Sequence, residues 1–219
     1  MAKKTTITAA RIINFYMDYV LEHQKQPASV YAFAKANNFD EALFYTFYAN
    51  FEAVEKSIFN AFFENTMNVL MQSTDYETYD ARAKLLSFYY TFFENLTANR
   101  SYVVYALNKH KNSLKNLTTL TALKNSFTAY ITTLNIETFE IEHEKIAKIQ
   151  DKGIKESYWI QLLMTLKFWL DDSSTGFEKT DIFIEKSVNT SFDLMDIKPF
   201  KSAIDFGKFL LKEKMNFNI

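Results

Sequence analysis

Apolar residues recur at steps of three and four along almost the whole chain, and that spacing predicts helices. Over residues 6–23 the stripe is Ile12, Ile13, Tyr16, Val20 and Leu21. The polar run EHQKQP ends it, with Pro27 suited to a loop or a first helical turn. Ser29 can cap a short second helix reaching Ala36. Asn37-Asn38 signals a turn, because Asn tolerates the left-handed backbone. Asp40 can cap a third short helix over about residues 41–48, and a longer fourth covers about 51–72, with Val54, Ile58, Phe62 and Val69 along one face. Further helices are predicted at about 76–97, 101–111, 118–151, 155–171, 177–195 and 201–214. The longest carries Leu120, Leu123, Phe127, Tyr130, Ile131 and Leu134 at helical steps. DSSTG at 172–176 breaks the pattern, Thr175-x-x-Glu178 reads as a capping box, and Lys198-Pro199 marks the last break.

Composition agrees with an all-α fold of about nine to ten helices. The 219 residues are 48% hydrophobic and 17% aromatic, enough to bury a proper core. A β-rich chain of this length needs many tight turns, yet it holds only 3 Gly and 2 Pro. With no Cys, disulfides, thiolate metal sites and cysteine nucleophiles are excluded. The N-terminus lacks an apolar signal segment, and the densest apolar run, at 158–170, is too short to span a bilayer; a cytoplasmic location is expected.

The layout of three short helices, the second pair joined by a tight turn, and then a long connecting helix resembles the TetR family of regulators. The family's opening aliphatic pair corresponds to Ile12-Ile13, its Thr-Ser-Val helix start to Ala28-Ser29-Val30, and its Ile-Ala pair to Phe33-Ala34. The turn corresponds to Asn37-Asn38-Phe39-Asp40, the Leu-Tyr of the recognition helix to Phe44-Tyr45, the closing His-Phe to Phe47-Tyr48, and Lys-Glu-x-Leu to Phe51-Glu52-Ala53-Val54. The register runs unbroken for more than forty residues. The segment FWLDDSSTGFEKTDIFIEKSV is similar to TetR-like C-terminal domains of the Bacteroidetes type.

The resemblance implies a helix-turn-helix DNA-binding domain over 1–52 and a helical ligand-binding and dimerisation domain over 53–219. It implies a repressor that binds DNA as a homodimer and answers to a small apolar or amphipathic effector. The DNA contacts it suggests are Ser29, Lys35, Glu41, Tyr45 and Thr46. Two departures bear on that role. The family's phosphate-binding Lys after the recognition helix is Phe51, and its His is Phe47, while the phosphate-contacting aromatic is kept as Tyr45. Over residues 1–60, Lys3, Lys4, Arg11, Lys25, Lys35 and Lys56 face Asp18, Glu22, Asp40, Glu41, Glu52 and Glu55, six against six. Non-specific DNA affinity comes mainly from cation–phosphate contacts. A second reading therefore stands beside the first: the fold retained with weak or lost DNA binding, serving an apolar ligand or lipid.

In the body, Tyr89, Phe93, Tyr105, Phe127, Tyr130 and Trp159 can line an apolar ligand pocket, or pack as ordinary core. TetR relatives dimerise through two C-terminal helices, which points to Trp159, Leu163, Leu166, Ile184, Val188 and Phe192 as a dimer interface, with a monomer core as the alternative. Residues 155–171 carry a second apolar face, Ile160, Met164 and Phe168. His143 lies near Glu140 and Glu144, a spacing open to metal binding but typical of a solvated face. No HExxH, GxSxG or P-loop pattern occurs, so no enzyme, cofactor or metal is expected.

Overall fold

The computed structural model describes residues 6–109, 113–136 and 144–196, with Phe206 and Phe209 beyond them. Among the described residues there are ten α-helices, two short 3-10 turns and no strand. The fold is all-α. The described residues divide into two compact units, one drawing on 1–74 and 91–129, the other on 75–90 and 130–219.

The first unit opens with α1 (Ala9–His23), α2 (Val30–Ala36), α3 (Glu41–Tyr45) and α4 (Phe51–Met71). Each start is fixed by a side chain accepting a hydrogen bond from an otherwise unpaired backbone N–H. Thr8 caps α1, Ser29 caps α2, Asp40 caps α3 and Asn50 caps α4. Between α2 and α3 the chain reverses through Asn38 at φ 56°, a left-handed conformation that Asn adopts at modest cost. The unit also holds the latter part of α5 (Ala81–Ala98), then α6 (Arg100–Asn108), α7 (Ser113–Thr118) and most of α8 (Thr121–Thr133).

The core of α1–α4 is a cluster of rings. Phe33 meets Phe44, Phe51 and Phe39 edge-on, with centroids 6.2, 5.4 and 5.9 Å away. Phe51 stacks on Tyr16 at 5.4 Å. Edge-to-face and offset contacts of this kind add to the stabilisation from burial alone.

The second unit holds the start of α5, α9 (Glu144–Asp171) and α10 (Glu178–Asp196). Tyr130 packs its ring 5.1 Å from Phe88, and its hydroxyl meets that of Tyr76 at 2.8 Å and the Lys84 carbonyl at 3.1 Å. Tyr158, Leu162, Leu166 and Trp169 of α9 and Ile184 and Val188 of α10 are buried.

Several expected boundaries move. The third helix stops at Tyr45, where the Thr46 hydroxyl donates to the Leu43 carbonyl at 2.7 Å and ends the turn. The expected start at Tyr76 is a 3-10 turn (Tyr76–Thr78), with α5 beginning at Ala81. The helix expected over 118–151 is broken: α8 ends at Thr133, with Asn135 at φ 47° turning the backbone. Lys152-Gly153-Ile154, expected to separate two helices, lies inside α9 instead. The segment 201–214 lies outside the described residues apart from Phe206 and Phe209, as do His143 and Lys198-Pro199.

The Thr175–Glu178 box is replaced by a different cap. Gly176 and Phe177 take positive φ (64° and 61°), so the chain makes a 3-10 turn (Thr175–Phe177) before α10 begins. Buried Asp172 gathers the loop: its carboxylate accepts from the Ser174 N–H and hydroxyl and from the Thr180 N–H and hydroxyl, at 2.6 to 2.9 Å.

The Ser174 hydroxyl, against an opposing effect of burial, and then the Ser174 N–H and both Thr180 donors hold the Asp172 carboxyl down to about 2 from its ordinary 3.8. A carboxyl with a lowered folded-state pKa contributes stability that is fully present above its unfolded value and is lost as pH falls through the folded one. Urea unfolding measured across pH 5 to about 2 is expected to show a decline that Asp172→Asn reduces, with the variant already less stable at neutral pH. A second outcome concerns Gly153, where an added Cβ meets nothing within 4 Å. Gly153→Ala is expected to stabilise the chain by roughly 0.5–1 kcal/mol, read as a higher urea midpoint.

Candidate functional site

The outward face of α2 and α3 follows from which side of each short helix the ring core claims. Phe33, Ala34 and Phe44 turn inward and are buried. Ser29, Tyr31, Lys35, Leu43, Tyr45, Thr46 and Phe47 are left exposed, and Glu41 is half-buried. Tyr45 is 53% exposed and Phe47 43%. The hydroxyl of Ser29 accepts from the Ala32 N–H at 3.1 Å, and Asp40 accepts from the Ala42 N–H at 2.9 Å. Lys35 lies 5.9 Å over the Tyr31 ring. The Tyr45 hydroxyl donates to Glu41 at 3.4 Å. Partial desolvation, then the Glu41 carboxylate beside it, raises the Tyr45 pKa, so the phenol stays a neutral donor at pH 7.

Phe51 occupies the core. It is 5% exposed, wedged among Tyr16, Phe33 and Phe44. The position where the resemblance places a phosphate-binding Lys therefore presents nothing to solvent that could meet an anion. Lys56, one turn further on, is paired with Glu52 at 2.8 Å.

Beneath this face runs a polar tie that the hydrophobic pattern does contain. Phe51, Val54, Ile58, Phe59 and Phe62 form the buried stripe of α4, and Glu55 sits on it. A carboxylate on an apolar stripe signals a buried partner. The Tyr16 hydroxyl of α1 donates to Glu55, and the Lys109 ammonium, just past α6, reaches the same oxygen at 2.6 Å. Lys109 also lies 3.4 Å from the Gln26 side chain in the α1–α2 loop. Burial, and then the Glu55 hydrogen bond, pushes the Tyr16 hydroxyl far up, so it acts only as a donor. Lys109 itself carried no recognisable sequence signal.

The six proposed pocket residues are divided between the units. Phe93 and Phe127 are buried and Tyr105 is half-buried in the first; Tyr89, Tyr130 and Trp159 are buried in the second. They pack as core side chains, and none lines the open groove that the structure shows.

That groove lies in the second unit along α9 and α10, with a volume of about 670 Å³. Its more apolar end carries Met164, Phe168, Ile182 and Phe183 beside Lys179, with the Phe168 and Phe183 rings stacked at 4.6 Å. Its other end is mixed, with Ser157, Gln161, Ser187 and Ser191 beside Ile160 and Lys186. Of the residues expected at a dimer interface, Trp159, Leu166, Ile184 and Val188 are buried within the chain, and Leu163 and Phe192 are half-buried. The exposed apolar side of α9 is its second face, Ile160, Met164 and Phe168. The chain's own core takes the face with the larger, better-spaced stripe.

Among the described residues no group of His and carboxylates is placed to hold a metal ion, and no helix is long and apolar enough to cross a membrane.

Residues 84–210 match the tetracyclin repressor-like C-terminal domain. The match covers more than half of the chain, and the chain belongs to the TetR family. It is a regulator of transcription by family and not an enzyme. No curated protein matches it.

The Glu55 tie yields a stability outcome. Lys109→Met leaves a buried carboxylate with only the Tyr16 donor, and breaking such a pair is expected to cost about 3 kcal/mol in urea unfolding. Adding Glu55→Gln removes the orphaned charge while keeping an acceptor for Tyr16, and is expected to recover most of the loss.

Proposed function

We propose that the chain is a ligand-responsive transcriptional regulator, of repressor type, that binds DNA as a dimer through the outward face of α2 and α3. The division proposed for these roles is residues 1–52 for DNA and 53–219 for ligand and dimerisation. The carrying observation is local geometry: Asn38 in a left-handed turn, capped α2 and α3, Phe44 buried, and Tyr45 and Thr46 facing out. Ser29, Lys35, Glu41, Tyr45 and Thr46 are the proposed contacts. Tyr45 supplies a neutral phenol for a phosphate, and Lys35 a cation. An effector held by the aromatic interior would bias the chain between two states of different DNA affinity, which requires that it bind one state more tightly. The buried Tyr102 hydroxyl, which has no hydrogen-bond partner among the described residues, suits the polar end of an amphipathic effector.

The dimer is proposed to form through α9 and α10, with Ile160, Met164, Phe168 and Ile182 as its exposed apolar face. Exposed apolar residues gathered on a helix pair mark an association surface.

A second reading has its own observation. The five residues of α3 include no Lys or Arg, and its Leu43 and Tyr45 are exposed, as are Phe47 just after it and Tyr31 on α2. That composition suits an apolar ligand or lipid.

Salt-titrated binding to the DNA upstream of its own gene separates the two. Lys25 and Lys35 are both exposed, giving four cations in a dimer. A log–log salt slope near about −4 is expected, shallow for a repressor. Tyr45→Ala is expected to lower affinity about tenfold, the scale of one lost charge-assisted hydrogen bond. Absence of salt-dependent binding at low ionic strength would remove the DNA reading, and lipid retained in native mass spectrometry would then carry the second.

A further inference from the structure

The face around α3 is poor in cations, yet one guanidinium at its edge is unpaired and held in place. Helix α3 holds no Lys or Arg, Phe51 is a core ring, and Lys56 is tied to Glu52 at 2.8 Å. Helix α1 touches the chain on both sides of α3. Its Ala9 carbonyl lies 3.5 Å from the hydroxyl of Tyr48, just past α3, and its Phe15 ring stacks at 6.3 Å on Phe39, just before α3.

Arg11 and Phe15 stand one turn apart on α1 and so share a face. The Arg11 guanidinium sits 5.3 Å over the Phe15 ring. Its Nε is buried with no hydrogen-bond partner among the described residues, and no carboxylate among them pairs with it. A guanidinium stacked on a ring keeps its charge while its side chain loses much of its freedom before any ligand arrives. With Nε enclosed, the two Nη groups are the donors open to an anion. An unpaired, partly desolvated cation is unfavourable by itself, and an anionic oxygen at the Nη end relieves it.

Resting on the DNA reading above, we propose that Arg11 is a backbone-phosphate contact at the rim of α3, and that Phe15, braced by Phe39, positions it. The stack runs from the cation to the turn that sets α3, so the charge and the reading helix are held in one frame.

Salt-titrated binding of the full chain, to the DNA upstream of its own gene and to an unrelated duplex, tests this. The exposed lysines alone give a log–log slope near about −4; two copies of Arg11 in a dimer steepen it to about −5.5. Arg11→Gln is expected to return the slope to about −4. It is also expected to lower affinity at least about tenfold, by the same factor on both duplexes, because a phosphate carries no sequence information. Arg11→Lys is expected to keep the steeper slope and lose part of the affinity. Phe15→Leu is expected to keep that slope and weaken binding severalfold, and to cost nothing further in the Arg11→Gln background. A structural role alone would lower the urea midpoint of Arg11→Gln and leave the slope unchanged. Wild-type slope in Arg11→Gln, with or without a loss of affinity, would overturn the contact while leaving the DNA reading. A Phe15→Leu loss that persists in the Arg11→Gln background would overturn the positioning role. A wild-type chain without salt-dependent binding would overturn both the contact and the DNA reading.

Discussion

Phe33 is the residue on which the N-terminal helices converge. Its ring meets Phe39, Phe44 and Phe51 edge-on, and Phe51 in turn stacks on Tyr16. Edge-to-face contacts of this kind stabilise beyond burial alone, and Phe51 supplies one of them. The surface chemistry follows from that packing constraint. The side chain at 51 cannot be both a wall of this cluster and an exposed cation. Position 51 is thus a core position in this chain, its ring packed against Phe33.

The same cluster sets the depth at which Tyr16 lies, and so brings its hydroxyl to Glu55. That carboxylate is held between Tyr16 of α1 and Lys109 past α6. Three elements remote in sequence are joined through one oxygen atom. A buried ion pair of this sort is weak evidence of added stability, because desolvation offsets the attraction; its stronger property is intolerance of a missing partner. The tie therefore constrains where α6 ends relative to the first helices more than it strengthens the unit.

The first quarter of the fold was legible because each local signal was self-sufficient. Ser29, Asn38 and Asp40 act on their own backbone within three residues, so sequence proximity carries their roles. Glu55 could have been flagged as a carboxylate on an apolar stripe, although its partner Lys109, fifty-four residues away, could not. The loop before α10 was misread for a related reason: the Thr175–Glu178 pattern assumes a direct helix start. The left-handed pair Gly176–Phe177 instead hands the capping to Asp172 and Ser174. The broken helix near Asn135 and the unbroken one through Gly153 show the same limit, since propensity at one residue is a weak prior against tertiary packing.

Helix α9 shows where periodicity runs out altogether. It is apolar on two faces, and spacing cannot say which of them meets the chain's own core. The structure gives Trp159, Leu162 and Leu166 to the interior and leaves Ile160, Met164 and Phe168 outside. An interior face tolerates many apolar combinations of suitable volume, whereas an outward apolar face is a surface on which another molecule can associate. Gln161 gives that outward face a direction. It forms the boundary between apolar and polar ends, and it uses Ser187 and Ser191 of α10 to hold its amide in place. Those bonds join α9 to α10 within the chain, so the polar part of the groove also holds its own two walls together.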